Sequence, residues 1–247
     1  MGNKAAVFPL QLLGLEVDII NSVHFSNHTG YPNGFKGTIM DGNQLLTILE
    51  GLQRNDLLDK IQYVLTGYIG SESFLDAIRT LILRVKEHAN PSKYRYLCDP
   101  VLGDNGKLYV PKELVSLFQS KIIPLADIVT PNQFESETLT GIKIQSIDDA
   151  KESCRWFHDL GPSIVFLTSL SLPPLDEINN DTNKPKPEII TILASQRRII
   201  NGETIHEVYR IDCPEIPGSY TGTGDLTAAY VCSNSFTLTV VGNPIDL

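Results

Sequence analysis

Residues 126–135, ADIVTPNQFE, pass from an apolar run into a helix start with no linker between them. Ile128 and Val129 suit a buried strand. Pro131 and Glu135 suit the first turn of a helix, where a missing N–H is tolerated and a negative charge meets the dipole. Thr130 and Asn132 then stand at the carboxyl end of a strand, which is where open α/β sheets bind their ligands. If this strand-to-helix step recurs along the chain, it predicts a mostly parallel sheet.

It does recur. VDIINSVHF (17–25), YVLTGYI (63–69), YRYLCDP (94–100) and SIVFLTS (163–169) are further short apolar runs that read as buried strands. Between them lie amphipathic stretches. Leu45, Leu46, Leu49 and Leu52 recur at helical spacing over 42–53, and Phe74, Ile78, Leu81, Ile82 and Val85 do so over 73–88. Ser146 and Gly161 bracket a third helix as N-cap and C-terminal stop. The expected fold is α/β in three layers, with helices on both faces of the sheet.

Residues 171–187, SLPPLDEINNDTNKPKP, read as a surface loop, and Asn201-Gly202 reads as a hairpin turn between two strands. The ends differ from the middle. MGNKAAVFPLQLLG is already helical with no strand before it. The apolar pattern after Asp225 extends only to about Val231, and CSNSFTLTVVGNPIDL then breaks the helical period.

The 247 residues are 42% hydrophobic, enough for one sizeable core, and the net charge of −9 argues against general binding to nucleic acid or an anionic membrane. Cys98, Cys154, Cys213 and Cys232 form no CxxC pair, which suits a reducing cytosol. No signal peptide or long apolar run is visible, so a cytoplasmic location is expected, and the glycosylation-like triplets at Asn27 and Asn180 read as accidental.

GSYTGTGDLTAAYV (218–231) places two glycines and a threonine before Asp225 and a run of helix formers. A helix start with unbonded N–H groups favours a phosphate, yet Asp225 should repel one. The conflict disappears if Asp225 takes the proton of a hydroxyl while the amides at Gly222 and Gly224 hold the phosphoryl group under attack. An aspartate at this place is also a common N-cap. The other strand ends support the chemical reading. Asp99, Asp104, Asn132 and Glu135 offer hard oxygens suited to Mg²⁺, and the Thr168 and Ser169 hydroxyls can donate to phosphate. NSVHFSNHTGY (21–31) carries His24 and His28 at a zinc-like spacing, but no third ligand stands nearby. A substrate-contacting loop fits better, with Thr29 and Tyr68 meeting a small ring.

NSVHFSNHTGY, LTGYIGS, CDPVLGDNGKLYVP, PLADIVTPNQFE and GTGDL together resemble the eukaryotic pyridoxal kinases, within the ribokinase-like superfamily, from about Gly2 to about Val231. The resemblance implies phosphorylation of the 5′-hydroxyl of pyridoxal, pyridoxine and pyridoxamine. ATP would be the co-substrate, Mg²⁺ or another divalent cation would assist, a monovalent cation is left open, and the assembly would be a homodimer. It implies Asp225 as base and Gly222, Thr223 and Gly224 as the anion hole. It places Asp99, Asp104 and Glu135 around the metal, Asn132, Thr168, Ser169 and Tyr109 near the nucleotide, and Val23, Thr29 and Tyr68 near pyridoxal.

The chain also departs from the family pattern. The family's first strand, with a serine that contacts the pyridine ring, is absent, and an unrelated tail replaces the helices that follow GTGD. A truncated or spliced form is therefore expected, with residues 1–231 as the kinase domain and 232–247 as a divergent tail. Two other readings follow. One is a catalytically weak or inactive fragment that only binds or dimerises, because lost elements expose a sheet edge and apolar surface. The other is a kinase of the same fold acting on a hydroxymethylpyrimidine or a sugar.

Overall fold

The computed structural model describes residues 2–172, 189–218 and 220–234. In chain order, α1 (Gly2–Leu12) comes first, followed by an antiparallel ribbon of β1 (Val23–Phe25) and β2 (Gly37–Ile39). Next are α2 (Gly42–Arg54), β3 (Tyr63–Thr66), α3 (Glu72–His88) and β4 (Arg95–Cys98). A small ribbon of β5 (Gly103–Asp104) and β6 (Lys107–Leu108) precedes α4 (Glu113–Leu117), β7 (Ile128–Val129), α5 (Gln133–Thr140), α6 (Ile147–Leu160) and β8 (Ile164–Leu170). A long hairpin of β9 (Ile189–Ile200) and β10 (Glu203–Pro214) leads to α7 (Thr223–Asn234).

The main sheet has six strands in the order β10-β9-β8-β7-β4-β3. β3, β4, β7 and β8 are parallel, and β9 and β10 are antiparallel additions. The two-residue side-chain period of a strand divides the core. Tyr96, Cys98, Val129, Val165, Leu167 and Leu193 pack with α2–α6 on one face. Leu97, Ile128, Phe166 and Ala194 point the other way and pack with Ala6 and Leu10 of α1 and with Ala228 and Ala229 of α7. This is the expected three-layer arrangement.

Local chemistry sets the element ends. Ser146 and Asp149 form a reciprocal capping box at the start of α6. Gly161 follows the helix at φ 151°, and Arg197 donates from Nη1 to the His158 carbonyl and from Nη2 to that of Gly161. The turn between β9 and β10 has positive φ at both Asn201 (54°) and Gly202 (85°), which matches the twist of the flanking strands.

The structure corrects the reading of residues 17–25 as one buried strand, since only Val23–Phe25 is a strand and Ile19 is exposed. Val17 packs on the α1/α7 side of the sheet and Ile20 on the opposite side, so the segment crosses the β3 edge instead of pairing with it. The Asn3 side chain donates to the Ile20 carbonyl at 3.2 Å, a backbone acceptor that a ladder could otherwise bond, and to Asn21 Oδ1 at 2.9 Å. α7 also runs to Asn234, three residues past the expected end of its apolar pattern. Most of the proline-rich stretch (173–188) and residues 235–247 of the tail lie outside the described residues. No disulfide joins the four cysteines, and no helix among the described residues is long and apolar enough to cross a membrane.

His158 ties α6 to the sheet. Its Nδ1 lies 2.8 Å from the Pro162 carbonyl, which can only accept, so Nδ1 carries the proton and Nε2 accepts from Ser195 Oγ at 2.8 Å. Burial, opposed by the Pro162 bond, pushes the ring's pKa down to about 4. The unfolded chain protonates this ring near its ordinary value of about 6.5. Stability from neutral His158 is therefore complete above about pH 6.5 and lost as pH falls toward about 4, by up to about 3 kcal/mol. Urea unfolding should show wild type weakening more than His158→Gln over that window. Parallel pH profiles for the two proteins would contradict the assignment.

Candidate active site

The carboxyl ends of β4, β7 and β8 converge on one end of the sheet. Asp99 follows β4 and is buried, and its N–H extends the ladder to the Thr66 carbonyl at 2.9 Å. The Thr130 N–H bonds the Cys98 carbonyl at 3.2 Å, and Asn132 forms a parallel bridge with Thr168. Beneath this end, Thr66 and Tyr96 share a buried hydroxyl–hydroxyl bond of 2.8 Å.

The start of α5 shapes the neighbouring turn. Asn132 caps the helix by accepting the Glu135 N–H at 2.8 Å, and Glu135 Oε2 accepts the Asn132 N–H at 2.9 Å. The same two side chains reach across to the turn before β5. Glu135 Oε1 accepts from the N–H groups of Leu102 (3.0 Å) and Gly103 (3.5 Å), and Asn132 Nδ2 donates to the Gly103 carbonyl at 2.9 Å. The approach is close enough to require glycine, because a Cβ on Gly103 would collide with the Lys107 carbonyl oxygen and stand 2.6 Å from the Phe134 ring.

Three carboxylates share this region. Burial pushes Asp99 up to about 7, and the charge of Asp225 adds to the rise while the Thr130 hydroxyl tempers it. Burial, then the charge of Asp99, pushes Glu135 up to about 8 against its three backbone N–H bonds. Burial also raises Asp225 above the usual carboxylate range. Among the described residues, no lysine or arginine pairs with any of the three.

Asp225 is placed by the packing of two helices side by side. A Cβ on Gly2 would stand 3.1 Å from Asp225 Oδ1, and one on Gly222 would stand 2.9 Å from the Ala5 Cβ, so α1 and α7 meet at their amino-terminal ends. Gly222 also has φ 89°. Nothing lies within 4 Å of where a Cβ on Gly224 would be, so that side of the first turn of α7 is open, and the first amides of a helix lack intrahelical acceptors.

The remaining predicted positions fall into two groups. Asp104 sits at the β5–β6 turn, where Asn105 (φ 50°) and Gly106 (φ 75°) reverse the chain, and it accepts from the Asn105 N–H at 2.8 Å and Asn105 Nδ2 at 3.2 Å. Tyr109 is exposed. Its pKa is raised by burial of part of the ring and then by Asp104 and Glu135, so it belongs to the acidic group. Val23 and Thr29 lie on and beyond β1, and Tyr68 follows β3; among the described residues no hydrogen bond joins these three to the acids. His24 and His28 are exposed, and no ready-made cluster of three His, Cys, Asp or Glu ligands occurs among the described residues.

Sequence reasoning missed the packing of α1 against the first turn of α7, although Gly2, Ala5 and Ala6 are a run of small residues suited to close approach. It also missed Gln133, whose amide bonds three separate backbone or side-chain partners and has no motif of its own.

A family model for phosphomethylpyrimidine kinases matches residues 52–239. The chain is 49% identical to a pyridoxal kinase of Arabidopsis thaliana over 93% of its own length and 68% of that protein. It is 42% identical to the Homo sapiens pyridoxal kinase, over 93% of this chain and 71% of that one. A solved pyridoxal kinase from Leishmania donovani, in complex with ADP and pyridoxamine, superposes with a TM-score of 0.83 at 36% identity, covering 96% of this chain and 78% of that one.

Proposed function

The chain belongs to the pyridoxal kinase family of the ribokinase-like superfamily, whose reaction is ATP-dependent phosphorylation of vitamin B6 alcohols, and on that footing we propose how its residues divide the work. It is a phosphotransferase with ATP as co-substrate. The mechanism is supported by Asp225 in the first turn of α7, packed against the start of α1, with its charge felt at buried Asp99 and that of Asp99 felt at buried Glu135.

Asp225 accepts the proton of the substrate's 5′-hydroxyl. Burial raises its proton affinity toward that needed of a base, and the close packing of the amino-terminal ends of two helices fixes its position. The amides of Gly222, Thr223 and Gly224 bond the oxygens of the phosphoryl group in transfer, and the open space at Gly224 admits them. Asn132, Thr168, Ser169 and Tyr109 contact the nucleotide, and Val23, Thr29 and Tyr68 contact the vitamer.

The chemistry of the donors is compatible with a divalent cation, because buried Asp99 and Glu135, the second raised in pKa partly by the first, lack a cationic side chain among the described residues. Asp99, Asp104 and Glu135 would hold it, with Mg²⁺ the expected ion and phosphate oxygens and water completing its shell. Such an ion supplies charge neutralisation as the phosphoryl group moves. The proposal also includes a homodimer, a cytoplasmic location, and a kinase domain over 1–231 followed by a distinct tail over 232–247, with a monovalent cation left open as a further cofactor.

Calorimetric titration with ATP plus Mg²⁺, and separately with pyridoxal, tests this reading. Both should bind, and ATP with Mg²⁺ should raise the melting temperature more than either alone. A melting temperature unmoved by nucleotide, with no pyridoxal turnover, would instead favour the inactive-fragment reading. The phosphomethylpyrimidine kinase match gives a second substrate class some support. Competition between pyridoxal and hydroxymethylpyrimidine decides it, with pyridoxal expected to win.

A further inference from the structure

We propose that Gln133 is a positioning residue for the nucleotide-phosphate end of the site, holding the end of β8 in the conformation that presents Thr168 and Ser169. This rests on the kinase reading above. Ser169 has φ 56°, a left-handed conformation that a serine adopts under constraint. Around it, the pairing of β8 with β9 breaks register between Leu167 and Leu170. Two bonds from the α5 side bracket the irregularity. The Thr168 N–H donates to the Pro131 carbonyl at 2.9 Å, and the Ser171 N–H donates to Gln133 Oε1 at 2.9 Å.

The Gln133 amide cannot turn around. Its Nε2 donates to Glu137 Oε1 at 3.1 Å and to the Ile144 carbonyl at 3.0 Å, and both are acceptors. Glu137 is itself fixed by Lys143 and by the Ile144 N–H. The oxygen of Gln133 is therefore committed to Ser171. Removing it frees the Ser171 amide, and the nearest relief for Ser169 is a return to extended backbone. A strand in regular register turns successive side chains to opposite faces, so the Thr168 and Ser169 hydroxyls would no longer point as they do.

The test uses the full chain, with Gln133→Met chosen to keep side-chain length and packing. ADP with Mg²⁺ and pyridoxal are titrated separately by calorimetry. Gln133→Met should weaken ADP binding about tenfold while pyridoxal affinity changes less than about twofold, a split that general loosening of the fold would not produce. In a Ser169→Gly background, where the left-handed conformation is comfortable, the same change should weaken ADP binding by less than about twofold. No weakening, or equal weakening in both backgrounds, overturns the proposal. Hydrogen exchange at Ser171 reads the clamp without nucleotide and should speed up in Gln133→Met; unchanged exchange also overturns it. If the unmodified chain binds no ADP, the nucleotide reading fails, and the functional half of this proposal fails with it.

Discussion

Asp225→Ala lowers pyridoxal turnover by about two to four powers of ten, the usual contribution of a positioned general base. The effect should appear in turnover and not in nucleotide affinity. The carboxylate lies at the first turn of α7, beside the amides that meet phosphate, and its removal leaves Gly222, Thr223 and Gly224 in place. Removing a negative charge from an anion site can even tighten ADP binding. The substitution also removes the charge that helps raise the pKa of Asp99. Asp225→Asn, which keeps the shape and loses the base, should fall as far. Steady-state kinetics with titration of ADP separate these outcomes. Turnover within about threefold of wild type would remove Asp225 from the role of base.

The parts of this structure that were legible in sequence are those encoded locally. β3, β4, β7 and β8 appear as apolar runs with polar ends, and α6 carries its N-cap at Ser146 and its stop at Gly161. The Asn201-Gly202 turn needs only two residues that tolerate positive φ. Asp99 and Glu135 were visible because each comes soon after a strand-like run, and Asp225 because a Gly-Thr-Gly turn precedes it before a run of helix formers. Residues 17–22 show the limit. Their composition suits a strand, but a strand requires a ladder, and here the Ile20 carbonyl is bonded by the Asn3 side chain instead of a neighbouring strand. The same limit hides Gln133 and Gly103. Their roles depend on where β8 and the β5–β6 ribbon lie relative to α5, and nothing in their own neighbourhood announces it.

Gly103→Ala tests that non-local dependence with the second large effect, here on stability and metal-dependent binding together. The new methyl group would overlap the Lys107 carbonyl oxygen across the β5–β6 ribbon and press on the Phe134 ring at 2.6 Å. Neither can easily yield. Gly103 pairs directly with Leu108, and Phe134 is anchored in the first turn of α5. The turn must therefore move, which strains the bonds from Glu135 Oε1 to Leu102 and Gly103 and from Asn132 to the Gly103 carbonyl. Overpacking of this kind costs about 1–3 kcal/mol, and loss of a buried hydrogen bond adds about 1–3 kcal/mol. A loss near 3 kcal/mol lowers the melting temperature by roughly 6–12 °C in a chain of this size. Gly106→Ala is the control, since it has positive φ but open space around it and should cost only about 1 kcal/mol. Because the Gly103 turn carries Asp104 and faces Glu135, Gly103→Ala should also weaken ADP–Mg²⁺ binding more than Gly106→Ala does. Equal melting temperatures for the two variants would mean that the turn is free to shift, and that α5 does not hold the acids of the site in register.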